Sequence, residues 1–214
     1  MSYTPGLVKN LMKNSKTAFY GEYRFEIFNG VYEPAEDTYL LADSLQVEKG
    51  DFVLDLGTGC GILGIIAAKK AKKVVAIDIS PIAVKCAKYN VKINGLAKNI
   101  NIILGNLFQP LKKAKIFDLI VFNPPYLPKS PYDTNNWLSR AWDGGEKGRK
   151  IIDKFLEEFD NYLKHSGRLQ LVQSSLSNPN LTMKKLEEKG FSVEVTARKK
   201  LPFFEELKVL TAWR

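Results

Sequence analysis

Short apolar runs recur from residue 50 onward, at Phe52–Leu56, Val74–Ile77, Ile100–Leu104, Phe117–Phe122 and Leu169–Val172, with helical patterns between them. Runs this short, apolar without polar alternation, are strands covered on both faces, and strands separated by helix-length spacers pair in parallel. The chain is therefore expected to be α/β, with helices on both faces of a mostly parallel sheet. Ile62–Ala71, Pro81–Asn94 and Lys147–Leu163 carry the helical spacing, the second opened by Ser80 as a cap and Pro81 in the first turn. Phe191–Ala197 alternates apolar with polar residues, and Leu207–Trp213 follows a Pro202-containing connection too short for a helical crossover, so the chain ends in an antiparallel pair. Five runs and this pair make a seven-stranded sheet with an antiparallel terminal strand. Pro34–Leu45 adds a helix ahead of the sheet, with Glu36 and Asp37 in its first turn, where acids complement the helix dipole.

A length of 214 residues fits one core. Residues 1–214 are expected to form a single domain, with 1–48 an N-terminal extension and helix covering the site. Phe19, Tyr20, Tyr23 and Phe25 form a strap across the core rather than a lid. No apolar run approaches the roughly 20 residues of a membrane span, and Met1–Lys16 lacks the apolar stretch of a signal peptide, so a cytoplasmic protein is expected. One histidine, His165, and two cysteines, Cys60 and Cys86, leave neither a metal cluster nor a His-based triad. The charge of +9 is compatible with contact to nucleic acid, although the lysine pairs fall at element ends, where solvated lysine is ordinary.

Asn123-Pro124-Pro125-Tyr126 directly follows the Phe117–Phe122 strand. The prolines hold the backbone extended, so the Asn123 side chain and the Pro124 carbonyl can converge on one point. Two acceptors there match the two N–H donors of a planar amide or aromatic amine, and Tyr126 supplies a flat wall. A second loop, Asp55-Leu56-Gly57-Thr58-Gly59-Cys60-Gly61, joins the first parallel strand to a helix. Its glycines let the backbone turn tightly against a ligand. Gly59 to Gly64 also matches the GxGxxG dinucleotide pattern, and Asp78 could hold ribose hydroxyls in either cofactor class. Asp55 decides between them: a carboxylate there suits the cationic methionine end of S-adenosylmethionine better than a pyrophosphate.

These motifs, together with Ser80-Pro81-x-Ala83 and Gly105-Asn106-Leu107-Phe108, resemble class I methyltransferases that act on an NH2 nitrogen. Val31-Tyr32-Glu33-Pro34-Ala35-Glu36-Asp37-Thr38 and Ala141-Trp142-Asp143-Gly144-Gly145-x-x-Gly148-Arg149 narrow the resemblance to the archaeal and eukaryotic HemK-type glutamine methyltransferases of class I release factors, over about residues 31–175. The resemblance implies a Rossmann-like sheet and S-adenosylmethionine as cofactor. It implies a substrate glutamine in a Gly-Gly-Gln loop, held by Asn123, Pro124, Pro125 and Tyr126. It places Asp55, Gly57, Gly59, Asp78, Ile79, Asn106, Leu107 and Asn123 around the cofactor, with Thr38 over its methionine end. Asn106 stands where related enzymes usually carry Asp, and its Oδ1 can accept from the adenine amine equally well. Asn123, Pro124 and Tyr126 would carry catalysis by alignment, with no dedicated base. The alternative reading is an adenine-N6 or guanine-N2 methyltransferase acting on RNA or DNA, because a flipped base also presents a planar NH2. Relatives often pair with a small zinc-containing activator, for which Ile100–Leu104 is the candidate edge strand. Trp137, Trp142, Asp143 and Arg149 receive no role from the sequence.

Overall fold

In the computed structural model, which describes residues 14–129 and 137–214, the chain forms a seven-stranded sheet and a separate two-stranded hairpin. The hairpin, β1 (Lys16–Tyr20) and β2 (Tyr23–Ile27), comes first, followed by helix α1 (Glu36–Asp43). Then β3 (Phe52–Leu56), α2 (Ile62–Ala67), β4 (Lys73–Asp78), α3 (Pro81–Ile93), β5 (Ile100–Leu104) and β6 (Phe117–Phe122) alternate. The chain closes with α4 (Lys150–Glu158), β7 (Leu163–Ser174), α5 (Pro179–Glu188), β8 (Ser192–Lys200) and β9 (Glu206–Trp213). The sheet order is β5-β4-β3-β6-β7-β9-β8; β3 to β7 pair in parallel, and β9 runs antiparallel between β7 and β8.

Alternation along the strands divides the core in two. Val53, Val74, Leu119 and Val121 pack beneath α1, α2 and α3, whereas Leu54, Leu56, Ile120 and Phe122 pack against Phe155, Phe159 and Leu186 from α4 and beyond. Both faces of each central strand are thus covered, which is why these strands read as continuous apolar runs. The α3 cap is as expected, with Ser80 Oγ accepting from Ala83 N.

Several elements depart from the sequence expectation at their ends. The helix expected over 62–71 stops at Ala67, where Lys69 and Lys70 donate three residues back and tighten the chain into a turn. The helix expected over 147–163 is regular only over Lys150–Glu158; its last turn tightens at Phe159–Asn161 and Leu163 already belongs to β7. Polar residues His165 and Ser166 hide the first half of β7, which runs well beyond Leu169–Val172. Helix α5 went unread because its apolar positions are sparse, although Asn178 caps it through Leu181 N.

The hairpin is stitched to α3 rather than to the sheet. Asn90 Oδ1 accepts from Glu26 N while Asn90 Nδ2 donates to the carbonyls of Glu26 and Cys60. Phe25 is fully buried there, and Phe19 faces out, which agrees with a strap over the core. The expectations for Met1–Lys13 lie outside the described residues. Among the described residues no helix is long and apolar enough to cross a membrane, and no group of His, Cys, Asp or Glu is placed to hold a metal.

Candidate active site

A cavity of about 970 Å³ opens where the parallel strands end, the usual place for ligands in such sheets. Its wall brings together residues far apart in sequence: Thr38, Gly57, Gly59, Asp78, Ile79, Asn106, Leu107 and Asn123 through Tyr126 all line it.

On one side lies the glycine loop after β3. Gly57 has φ of 62°, and a Cβ there would sit 3.3 Å from the Phe122 ring and 3.7 Å from the Asn123 carbonyl, so glycine alone lets the loop close against the Asn123 segment. At the end of β4, Asp78 Oδ2 accepts from Gly59 N and Oδ1 from Ser80 N, each at 2.8 Å. A carboxylate oxygen held by one donor keeps further acceptor capacity, and both oxygens belong to a residue in the cavity wall. Burial raises the Asp78 carboxyl, with the backbone donors opposing. Beyond β5, Leu107 holds a left-handed φ of 48° in the loop that carries Asn106.

Asp55 takes a different position from the one its chemistry suggested. It is 1% exposed and is not among the cavity-lining residues. It points to the α2 side of β3, where Oδ2 accepts from Thr58 Oγ1 at 2.5 Å and from Gly64 N at 2.9 Å. It thus braces the glycine loop from beneath, and a Cβ at Gly64 would stand 3.0 Å from Oδ2. Burial pushes its carboxyl up to about 7 against these two donors, and Oδ1 has no hydrogen-bond partner.

The other side is organised by Asp37, which sequence reasoning quoted in a motif without assigning it this work. Asp37 lies in the first turn of α1 and is buried. Its Oδ1 accepts from Thr38 N at 2.6 Å and Tyr32 OH at 3.0 Å. Its Oδ2 accepts from Tyr126 OH at 2.9 Å and Asn123 Nδ2 at 3.1 Å. Asn123 Nδ2 also donates to Thr38 Oγ1 at 3.2 Å. A carboxylate only accepts, so it dictates which way the Asn123 amide turns: the NH2 faces Asp37, leaving Oδ1 as the remaining acceptor on a cavity-lining residue. Burial, with the Asp37 charge beside them, holds the Tyr126 and Tyr32 phenols far above their usual values, so both stay protonated donors.

The far wall comes from the loop after Ala141. Leu127 N donates to Trp142 O and Gly144 N to Leu127 O, so this loop lies along the segment that follows Tyr126. Asp143 Oδ1 accepts from Gly145 N and is a loop brace within the cavity wall. Gly148, with φ of 65°, passes so close that a Cβ would come 2.1 Å from the Tyr126 carbonyl oxygen. Arg149 is buried and donates to Ser177 O, Asn178 O and Thr182 Oγ1 and, through its other nitrogen, to Asp153. It ties α4 to the start of α5 and stands behind the wall. Trp137, Arg140, Trp142, Lys150 and Lys154 also line the cavity.

The comparisons agree with this geometry. The family model for the methyltransferase small domain matches residues 28–139. A Methanocaldococcus jannaschii protein provisionally named a protein N5-glutamine methyltransferase is 48% identical over 186 residues, covering 86% of this chain and 92% of its own. The human methyltransferase HEMK2 is 30% identical over 189 residues, 83% of this chain and 87% of that one. Among solved structures, the E. cuniculi Mtq2–Trm112 complex, described as methylating the translation termination factor eRF1, superposes with a TM-score of 0.65 at 28% identity, over 86% of this chain and 99% of that one. With the Asn-Pro-Pro-Tyr segment seated at the end of β6 beside the glycine loop, and relatives matched over nearly their full length, this chain is a methyltransferase belonging to the HemK-type glutamine methyltransferases.

Proposed function

We propose that the protein transfers a methyl group from S-adenosylmethionine to the side-chain amide nitrogen of the glutamine in the Gly-Gly-Gln loop of a class I release factor. The observation that carries this reading is the forced orientation of Asn123: its NH2 is pinned by Asp37 and Thr38, so it meets substrate with its carbonyl oxygen. That oxygen and the Pro124 carbonyl would accept the two amide N–H groups, leaving the nitrogen lone pair to point out of the amide plane. Tyr126, a residue of the cavity wall with its hydroxyl donated to Asp37, closes the seat.

The cavity residues fit the cofactor. Asp78 offers acceptors for two ribose hydroxyls, Asn106 and Leu107 offer a polar and an apolar contact for a base, and the glycine loop admits close backbone approach. Thr38 sits beside Asn123 and would cover the methionine end. Asp55 supports the loop that receives that end, a role we assign in place of direct contact. When bound, S-adenosylmethionine supplies an electrophilic methyl group on a sulfonium. The residues of this chain contribute alignment and acceptor charge: positive charge growing on the amide nitrogen is met by the Asn123 and Pro124 oxygens, and the proton then leaves to water. No side chain is required as a base.

A small partner belongs to the same proposal. Strand β5 is a free edge of the sheet among the described residues, Leu104 on it is 52% exposed, and a shallow depression of about 440 Å³ lies between Lys88, Val91 and Ile100–Ile103. An activator adding a strand at Ile100–Leu104 would cover it. Activity in translation termination would place the enzyme in the cytoplasm. The second reading, base methylation on RNA or DNA, is favoured by Lys129, Arg140, Lys150 and Lys154 around the mouth, although Asp143 and Glu146 stand among them.

Incubation of the enzyme with methyl-labelled S-adenosylmethionine, a class I release factor and total RNA and DNA tests both. Label in a Gly-Gly-Gln peptide after protease digestion is expected. Label confined to nucleotides would move the assignment to a base methyltransferase.

A further inference from the structure

The turn joining β8 to β9 places two phenylalanines in solvent. Phe203 is 97% exposed and Phe204 is fully exposed, and both hold left-handed backbone conformations, with φ of 60° and 65°. Consecutive left-handed residues are ordinarily glycine, asparagine or aspartate, because a β-carbon crowds the following carbonyl there. The chain therefore accepts backbone strain and exposed apolar area at the same two positions, and neither contributes to the core. Pro202 before them and the Leu201 N to Glu205 O bond of 2.8 Å close the turn, so the rings are held outward. The reversal from β8 to β9 calls for a left-handed backbone but not for phenylalanine, and two bulky apolar side chains set there, in solvent, mark a contact site.

The turn stands beside the active site. Leu207 of β9 pairs with Ser174 at the end of β7, and β7 is in register with the end of β6, which leads into Asn123, so the turn lies at the same end of the sheet as the substrate seat. Lys199, just before the turn, forms an ion pair with Glu36, the neighbour of Asp37. Glu205 is near enough for its charge to add to the rise in the Tyr126 phenol.

We propose that Phe203 and Phe204 dock the macromolecular substrate, inserting into an apolar surface of a folded protein next to the glutamine that enters the site. This rests on the glutamine-methylating reading above. The occupant is a folded protein because the reading above brings one to this end of the sheet and an exposed aromatic pair matches an apolar protein surface; the charges beside the rings are mixed, with Arg198, Lys199 and Lys200 before the turn, Glu205 and Glu206 after it, Lys199 held by Glu36 and Glu206 by Lys208. Exposed aromatic pairs of this kind carry a large share of the energy when an interface closes over them.

The test is the double substitution Phe203→Gly/Phe204→Gly, which removes both rings and relieves the left-handed strain, so the fold is retained and thermal unfolding moves to the same or a higher temperature. Methyl transfer is then measured to an intact class I release factor, to a short Gly-Gly-Gln peptide and to RNA. We expect kcat/KM for the intact factor to fall at least tenfold, chiefly through KM, with the peptide rate unchanged. An unchanged rate on the intact factor, or an equal fall on factor and peptide, overturns the proposal. Wild-type activity confined to RNA would sink the functional reading and the protein partner with it, and the wild-type arm by itself reveals that case.

Discussion

Asp37→Asn is the sharpest perturbation of the site, because it changes one heavy atom of the residue that orients Asn123 and holds Tyr126 and Thr38 beside it. In the wild type five donors converge on the carboxylate: Thr38 N, Thr38 Oγ1 and Tyr32 OH on Oδ1, Tyr126 OH and Asn123 Nδ2 on Oδ2. An asparagine must present an NH2 to one of these two sets. Thr38 N is a backbone donor at 2.6 Å and cannot rotate away, so the new NH2 takes the Oδ2 side. Tyr126 can turn its hydroxyl to accept, but Asn123 can accept only by flipping its amide. That flip presents NH2 to the substrate NH2, donor against donor. Losing one preorganised polar contact to the reacting group typically costs about 3 kcal/mol, roughly 100-fold in kcat. The lost charge assistance in the buried network lowers stability by a further ~1–2 kcal/mol. The assay is kcat and KM for methyl transfer to a Gly-Gly-Gln substrate, with S-adenosylmethionine affinity measured separately by calorimetry. We expect kcat to fall about 100-fold while cofactor affinity changes less than about threefold. Retention of kcat within a factor of three would show that Asp37 does not set the Asn123 orientation.

Other predictions follow from the same geometry. Asn123→Ala removes the acceptor outright, costing at least ~2 kcal/mol in kcat/KM with cofactor binding nearly intact; an equal loss of both would refute the division of roles. Asp55 binds its proton more tightly folded, at about 7, than an unfolded chain does near 4. Its contribution to stability is therefore fully present below about pH 4, declines by roughly 4 kcal/mol as pH rises to 7, and is level above that. Denaturant unfolding from pH 4 to 8 should show a slope that Asp55→Asn reduces; identical pH profiles would discard the assignment. Gly148→Ala drives a Cβ to 2.1 Å from the Tyr126 carbonyl at a φ of 65°. It should lower stability by at least ~2 kcal/mol and displace Tyr126, so an unchanged melting temperature and kcat would mean the loop yields freely.

Much of this molecule was legible because the signals are local. Phe52–Leu56, Ile100–Leu104 and Phe117–Phe122 begin and end where the apolar runs do, since strands in a covered parallel sheet are predominantly apolar, with a single polar residue in each of these, Asp55, Asn101 and Asp118. Ser80 and Pro81 mark the start of α3, and the glycine loop and the Asn-Pro-Pro-Tyr segment declare their backbone shapes, because cap, glycine and proline chemistry acts within a few residues. Element ends were less legible wherever polar residues continue a strand, as His165 and Ser166 do in β7.

What the sequence determined by itself was the fold class, the methyltransferase chemistry and the place of the Asn-Pro-Pro-Tyr segment, the proposed substrate seat, at the end of β6. The tertiary structure decided how that seat is held. Asp37 reaches Asn123 across 86 positions and Tyr126 across 89, so no window of sequence contains the network that turns the amide. Asp55 went beneath the glycine loop because the strand pleat points it to the α2 side, where Gly64 N and Thr58 Oγ1 satisfy Oδ2. Arg149 became a brace between two helices, and Phe203 and Phe204 were set at the end of the sheet that carries the site, because strand pairing, a long-range arrangement, chooses which distant residues become neighbours.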